Sequence, residues 1–340
     1  MTHAETISTP NAALIALQER LRSGDIPGIH AVIVQRRGKT LAEWYLEGHD
    51  QNIWKDLGHV RFTPDTLHDV RSVTKSVVSM LFGIAMSEGA ITNLDAPVLD
   101  WFPEFTQLRT PERLRIRLRD VLSMSSGLHW DEWTYPYTDP RNAEIAMNMA
   151  DDPHLYVLSQ PIDAPPGTRW AYSGGDVALI GAVIARATKM PIEEYAQAKL
   201  FGPLGMAFEW SKNKGVAMAA SGLRLTPRSM TTLGQLVLNG GSLDGAQRVP
   251  ADWIALSTTH KIDTTNVDVP GGGYGYLWWL GTPAPTLSWI GAVGNGGQRI
   301  WIVPSRGLVV VITAGAYDTP TQGKAPRDVL EAVLAALPPD

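Results

Sequence analysis

Residues 71–89 read RSVTKSVVSMLFGIAMSEG and place a lysine, Lys75, one turn into an otherwise apolar run. Val77, Val78, Met80, Leu81, Ile84, Ala85 and Met86 recur at the i, i+3, i+4 and i+7 spacing of a helix buried on most sides. Desolvating an ammonium is costly unless it is paired. Lys75 therefore either points to water or is held by a partner, and Ser72 lies three residues back on the same helix face.

Two readings of Ser72-Val73-Thr74-Lys75 compete. In the first, Ser72 caps a helix and Lys75 is a solvated first-turn residue. In the second, the Ser72 hydroxyl is a nucleophile and the Lys75 amine its base. A helix N-terminus favours the developing negative charge, and an apolar wall lowers the lysine pKa. A second S-x-x-K, Ser211 to Lys214, lies in a polar loop closed by Gly215 and reads as chance.

Upstream of the run, residues 29–48 read as two strands joined by a turn at Arg37-Gly38. Downstream, the pattern is helical to about residue 220, in RLRDVLSMSS, NAEIAMNMA, DVALIGAVIARATKM and IEEYAQAKLFGPLGM, with proline-rich connections between. A further helix is expected over 226–241. The character then changes. TLSWIGAVG, QRIWIVP and LVVVITAG are short β-branched or aromatic runs punctuated by NGG and Ser305-Arg306-Gly307, as in antiparallel hairpins. PRDVLEAVLAAL closes the chain as a helix. The expected class is α/β (α+β): residues 1–70 and 221–340 form a sheet domain from both termini, residues 71–220 a mainly helical region, with the active site between them.

The totals narrow the function. With 44% hydrophobic and 19% charged residues the chain is an ordinary globular protein. A net charge of -5 without basic clusters gives no reason to expect nucleic acid or an anionic membrane as partner. The absence of cysteine excludes disulfides, thiolate metal sites and a cysteine nucleophile. Residues 1–25 read as a short amphipathic helix rather than a signal peptide, and the longest apolar runs are about half a membrane span. A cytoplasmic location is the expectation, although a processed exported form would look similar.

Two more stretches carry candidate chemistry. In Trp170-Ala171-Tyr172-Ser173-Gly174-Gly175-Asp176, a Tyr172 phenol near a cationic lysine can have a lowered pKa and move protons between nucleophile and leaving group. The same stretch is one residue from a G-x-S-x-G elbow, which would make Ser173 the nucleophile instead. That reading needs a downstream Asp and then a His within βαβ units; only His260 follows, among hairpins. In Ala292-Val293-Gly294-Asn295-Gly296-Gly297-Gln298, glycines at a strand end allow close approach, and an N–H there can complete an oxyanion hole with that of Ser72. Trp130 and Trp133, with the tryptophans at 278 and 279, are candidates to wall an apolar substrate pocket. The segment HWDEW at 129–133 reads as a loop with aromatic packing rather than a metal site, and no phosphate-binding or dinucleotide motif occurs. No metal and no cofactor is expected.

The order S-x-x-K, then Y-S-G about 100 residues later, then A-V-G-N-G-G-Q near the C-terminus resembles the serine β-lactamase and penicillin-binding family. It is closest to the class C-like branch that includes carboxylesterases and 6-aminohexanoate-dimer hydrolases. The likeness extends through 118–132, 165–184, 222–241, 273–280 and 293–313, and so over roughly residues 25–335. It implies an antiparallel sheet flanked by helices plus an all-helical region. It implies Ser72 as the acylated serine, Lys75 as its adjacent base and Tyr172 as the tyrosine opening Y-x-N. The K-T-G triplet falls on Ala292-Val293-Gly294, so the N–H of Asn295 joins that of Ser72 as oxyanion donor. Gly294, Trp130 and Trp133 are the expected substrate contacts. The implied reaction is hydrolysis of a small ester or linear amide, with water as acyl acceptor.

Two departures stand out: Gly174 replaces the asparagine of Y-x-N, and Ala292 replaces the cationic or histidine residue of the third motif. Those side chains help grip β-lactams and D-Ala-D-Ala peptides, which makes β-lactamase or D-Ala-D-Ala carboxypeptidase activity the lesser expectation. A ligand-binding relative that has lost catalysis is the remaining alternative.

Overall fold

Strands from the two ends of the chain hydrogen-bond to one another. The computed structural model describes residues 11–53, 55–264, 272–284 and 287–338; residues 1–10 of the expected N-terminal helix and Gly271 lie outside them. The main sheet is antiparallel throughout and eight-stranded among the described residues. Its order is Ile262–Asp263, Gly273–Tyr274, Trp279–Ala284, Leu287–Gly294, Gln298–Val303, Leu308–Ala314, Ile29–Arg36 and Lys39–Tyr45. The turn at Arg37-Gly38 forms as expected, both residues having positive φ (50° and 77°), the twist a two-residue hairpin requires.

All of Leu308–Ala314 is buried, as an apolar strand covered on both faces must be. Gly234 of the Pro227–Leu238 helix packs on one face, where an added Cβ would lie 2.6 Å from Val309 and 2.9 Å from Ile300. The Lys324–Ala336 helix also packs on this strand and against the first helix, Ala12–Arg22. No helix among the described residues is long and apolar enough to cross a membrane.

The Val73–Ser87 helix is buried from Val73 to Ala85. It docks through Ser76 and Ser79, whose hydroxyls donate to the carbonyls of Leu277 (2.8 Å) and Tyr276 (2.7 Å). Val70, three residues before its start, packs against the end of the Leu287–Gly294 strand. A Cβ on Gly294 would lie 2.3 Å from the Val70 carbonyl oxygen, so only glycine lets the strand approach this turn.

Several elements differ from the sequence expectation. RLRDVLSMSS is helical only over Leu118–Leu122: Met124 turns left-handed (φ 56°), and the Ser123 and Ser125 hydroxyls bond backbone carbonyls instead of continuing the helix. IEEYAQAKLFGPLGM is regular only over Ile192–Ala196, then passes through a wide turn at Gln197–Phe201 and a tight one at Gly202–Leu204, where Pro203 interrupts it. A polar hairpin, Glu47–Asn52 with Lys55–Arg61, and a small sheet of His68–Asp69, Leu223–Leu225 and Phe208–Trp210 carry too little apolar alternation to be read from sequence.

Gly294→Ala is expected to destabilise the protein by about 1–3 kcal/mol through overpacking against Val70. Urea unfolding of the variant beside the wild type measures it; an unchanged midpoint would show that the strand and the turn can separate at no cost.

Candidate active site

Arg71, the residue that leads into the buried helix, has φ 50°, a conformation side chains rarely adopt. Val70 N–H donates to Leu223 O (3.1 Å), and Leu223 N–H donates to the Thr74 hydroxyl (3.2 Å). These bonds fix the turn between two elements and present Ser72 half-exposed at the helix start.

Ser72 makes no side-chain cap bond, which removes the capping reading of its hydroxyl. The Lys75 Nζ donates to Ser72 Oγ at 3.0 Å and to the Ala220 carbonyl at 2.8 Å. Lys75 is 2% exposed and lies 5.0 Å from the Tyr172 ring centroid. The ammonium is thus paired inside the core by one hydroxyl, one carbonyl and an aromatic face.

Tyr172 lies beside both, its ring centroid 5.0 Å from Lys75 Nζ and its phenol close enough to the Ser72 side chain to feel it, which brings the three expected side chains together. Its protonation corrects the sequence expectation. Burial, and next the nearby Glu132 charge, push the phenol well above its ordinary range, so it holds its proton at neutral pH. Ser173, the elbow candidate, is buried, and its hydroxyl caps the Gly174–Thr188 helix by accepting from Asp176 N–H at 2.9 Å.

Ser72, Asn295, Glu144 and Ser221 line a cleft of about 350 Å³. The backbone N–H groups of Ser72 and Asn295 take no part in the hydrogen bonds of the described residues, which leaves both for a ligand. Asn295 is held by its side chain, which donates to Asp318 Oδ1 (2.8 Å) and accepts from Asp318 N–H (3.0 Å). Gln298 bridges two strands like a backbone amide, donating to Ala314 O (2.6 Å) and accepting from Ala314 N–H (3.1 Å). Arg299 donates to Gly294 O (2.8 Å); burial lowers its pKa to about 10. Gly294 itself is packing rather than lining, its Cβ space taken by Val70. Ala292 is fully buried.

The tryptophans lie elsewhere. Trp130 and Trp133 line a separate pocket of about 260 Å³ that touches Tyr172 but does not include Ser72. Trp133 is 48% exposed and stacks on Tyr172 with centroids 5.3 Å apart. His129 bonds Asp163 at the surface (2.8 Å). Trp278 is core, and Trp279 packs beside Tyr172.

Sequence reasoning missed a buried carboxyl pair. A Cβ on Gly174 would lie 2.7 Å from Glu132 Oε1 and 2.9 Å from Glu144 Oε2, so the two acids occupy the room that glycine leaves. Glu132 accepts from Trp130 Nε1 (2.6 Å), from Gly174 N–H and from the Tyr137 hydroxyl (3.1 Å); Glu144 accepts from Ser221 (2.9 Å). Burial, then the Glu144 charge, raise the Glu132 pKa to about 7, against the opposing pull of Lys75. The available signal was Glu144 on the apolar side of NAEIAMNMA, where an acid has no place unless it is paired.

Residues 15–334 match the family model described as Beta-lactamase. The chain belongs to that family. It is 24% identical over 314 residues to the 6-aminohexanoate-dimer hydrolase of Paenarthrobacter ureafaciens, covering 86% of this chain and 74% of the relative. It is 30% identical over 200 residues to esterase EstB of Burkholderia gladioli, covering 56% and 47% respectively. Among solved structures, a class C β-lactamase from Rhodobacter sphaeroides superposes with a TM-score of 0.70 at 21% identity, covering 96% of this chain and all of that one. The beta-lactamase fold of mixed helix and antiparallel sheet, expected from the motif order, is therefore the fold present.

Glu132 gives a pH signature. Its carboxyl ionises near 4.5 in the unfolded chain and near 7 in the folded one. Between those values the folded protein keeps a proton that the unfolded chain has lost, so stability falls as pH rises and levels off above about 7. Glu132→Gln retains the bonds to Trp130 and Gly174 without this proton. Its urea-unfolding free energy, relative to wild type, is expected to improve by about 2–3 kcal/mol from pH 4.5 to 7.5. A constant difference across that range would show that Glu132 is not the titrating group.

Proposed function

We propose that this chain is a serine hydrolase that cleaves short carboxylic esters or linear amides through a covalent acyl-enzyme. The observation that carries the reading is the buried Lys75 amine 3.0 Å from a Ser72 hydroxyl that serves no structural cap. Ser72 Oγ attacks the acyl carbon, and its proton passes to Lys75 in the neutral amine form. Tyr172, protonated and beside Ser72, hands a proton to the departing alcohol or amine and is recharged from Lys75. The oxyanion meets the N–H groups of Ser72 and Asn295 and the positive end of the Val73–Ser87 helix dipole. Water then adds to the acyl carbon by the same proton path in reverse.

The preference for esters and linear amides over β-lactams rests on two positions. Ala292 is buried and itself supplies no cation to take a substrate carboxylate. At Gly174 two carboxyl groups stand in the space of an amide side chain, and two acids repel the carboxylate of a β-lactam. The relatives named as an esterase and as a 6-aminohexanoate-dimer hydrolase support the same choice.

Ser72→Ala is expected to reduce p-nitrophenyl acetate turnover by about a thousandfold or more, Lys75→Met by a similar factor, and Tyr172→Phe by roughly 10²–10⁴. Labelling by a fluorophosphonate probe should follow Ser72. Activity surviving Ser72→Ala but lost in Ser173→Ala would sink the assignment in favour of the elbow. Nitrocefin cleaved with a higher kcat/KM than the ester would give the β-lactamase reading the place claimed here, and an unlabelled wild type would leave a binding protein.

A further inference from the structure

Beneath the Ser72 turn, and outside the cleft, three metal-ligating side chains converge from strands far apart in sequence. His30 comes from the Ile29–Arg36 strand, Asp50 from the Glu47–Asn52 hairpin and His68 from the strand that runs into Arg71 and Ser72. Each is at most 1% exposed. His30 Nδ1 and His68 Nε2 lie 2.9 Å apart, Asp50 Oδ1 is 3.5 Å from His68 Nε2, and one donor atom from each residue falls within 4.8 Å of the other two. Donors of a tetrahedral ion at about 2.0–2.1 Å stand roughly 3.3 Å from one another, so the His30–His68 and His68–Asp50 spacings each differ from that by only tenths of an ångström.

We propose that His30 Nδ1, His68 Nε2 and Asp50 Oδ1 form a buried structural site for one divalent ion of the zinc class. Two imidazoles and a carboxylate are a donor set that suits such an ion. The second layer is also in place. His68 Nδ1 faces the Asp69 carbonyl at 2.9 Å, an acceptor that holds the ring proton on Nδ1 and leaves the Nε2 lone pair directed at the other two donors. The Tyr317 hydroxyl donates to Asp50 Oδ1 at 2.9 Å and so orients that carboxylate.

The surroundings are dry and aromatic: Phe62 stacks on His30 with centroids 4.2 Å apart, and Tyr317 lies along the far side of His68. Burial keeps both imidazoles neutral, the form that ligates: His30 is lowered to about 3, first by desolvation and then by His68, and His68 is lowered by desolvation. The charges nearby are Asp69, which pairs with Arg224 (3.1 Å) and Arg71 (3.5 Å), so among the described ion pairs no guanidinium touches Asp50. A cation between the three donors supplies the counter-charge that a buried carboxylate lacks. Such an ion ties the first sheet strand and the hairpin to the segment that carries Ser72, a clamp on the nucleophile turn rather than a participant in its chemistry.

The test uses full-length protein freed of any purification tag and treated with a chelator. Zinc is then added and its retention after gel filtration is measured, with Co²⁺ as a spectroscopic stand-in. The expected result is one retained zinc per chain, a visible cobalt band displaced by one equivalent of zinc, and a rise of a few degrees in Tm with zinc in excess. Unfolding on chelation that zinc reverses supports the site equally. His30→Gln and Asp50→Asn keep the side-chain shapes and should weaken zinc retention roughly tenfold or more while circular dichroism stays native. Folded wild type that holds no zinc and shows no cobalt band overturns the proposal and leaves a hydrogen-bonded cluster only. Retention unchanged in both variants overturns it too, by placing the ion elsewhere.

Discussion

The Lys75 ammonium is a charge inside an apolar helix with two protein acceptors, Ser72 Oγ and Ala220 O. The rest of the site is arranged so that both acceptors exist. Ala220 is brought within reach because the Leu223–Leu225 strand pairs with His68–Asp69, ahead of Ser72, and Leu223 N–H bonds Thr74, one residue from Lys75. Gly222 lets the chain fold back there, since a Cβ on it would lie 2.8 Å from Met218 Cβ and from Ser211 O. Removing either acceptor leaves part of an ammonium unsatisfied in the core, a loss larger than the worth of an ordinary hydrogen bond. The same bond that keeps the lysine in the core holds its nitrogen against the hydroxyl that the proposed reaction activates, so in that reading stability and chemistry share one contact.

Which features were legible in the sequence follows from their range. The Val73–Ser87 helix, the Arg37-Gly38 hairpin and the three C-terminal strands carry their signal within about ten residues, as period or turn chemistry, and they form where expected. The joining of both chain ends into one sheet was visible as strands flanking a helical middle. The pairing of Ser72 with Lys75 was legible because i and i+3 share a face. Neither Glu132 with Glu144, nor His30 with Asp50 and His68, could be read the same way. Their members sit on separate elements and, apart from Glu144 on the apolar side of its helix, each alone is an ordinary polar residue in a loop or strand. The raised Tyr172 pKa was missed for a related reason: spacing revealed the neighbouring cation, but depth and the acid pair are properties of the folded site.

Gly174 shows how a departure from a motif is to be understood. A missing asparagine side chain suggests a gap and a loss of grip. The structure holds no gap: Glu132 and Glu144 converge on the same point, and Glu132 accepts the N–H of Gly174 itself. A side chain restored at 174 would meet two carboxyl groups, so glycine and the acid pair are a single solution to packing that place. Their charge then acts on Tyr172 and Lys75 without touching Ser72, since Glu132 opposes ionisation of Tyr172 while its own carboxyl is favoured as an anion by Lys75. An asparagine offers a substrate one amide and no charge. The carboxyl pair offers an acidic wall whose proton content changes near neutral pH, and that replaces a fixed hydrogen-bonding grip with a titratable field.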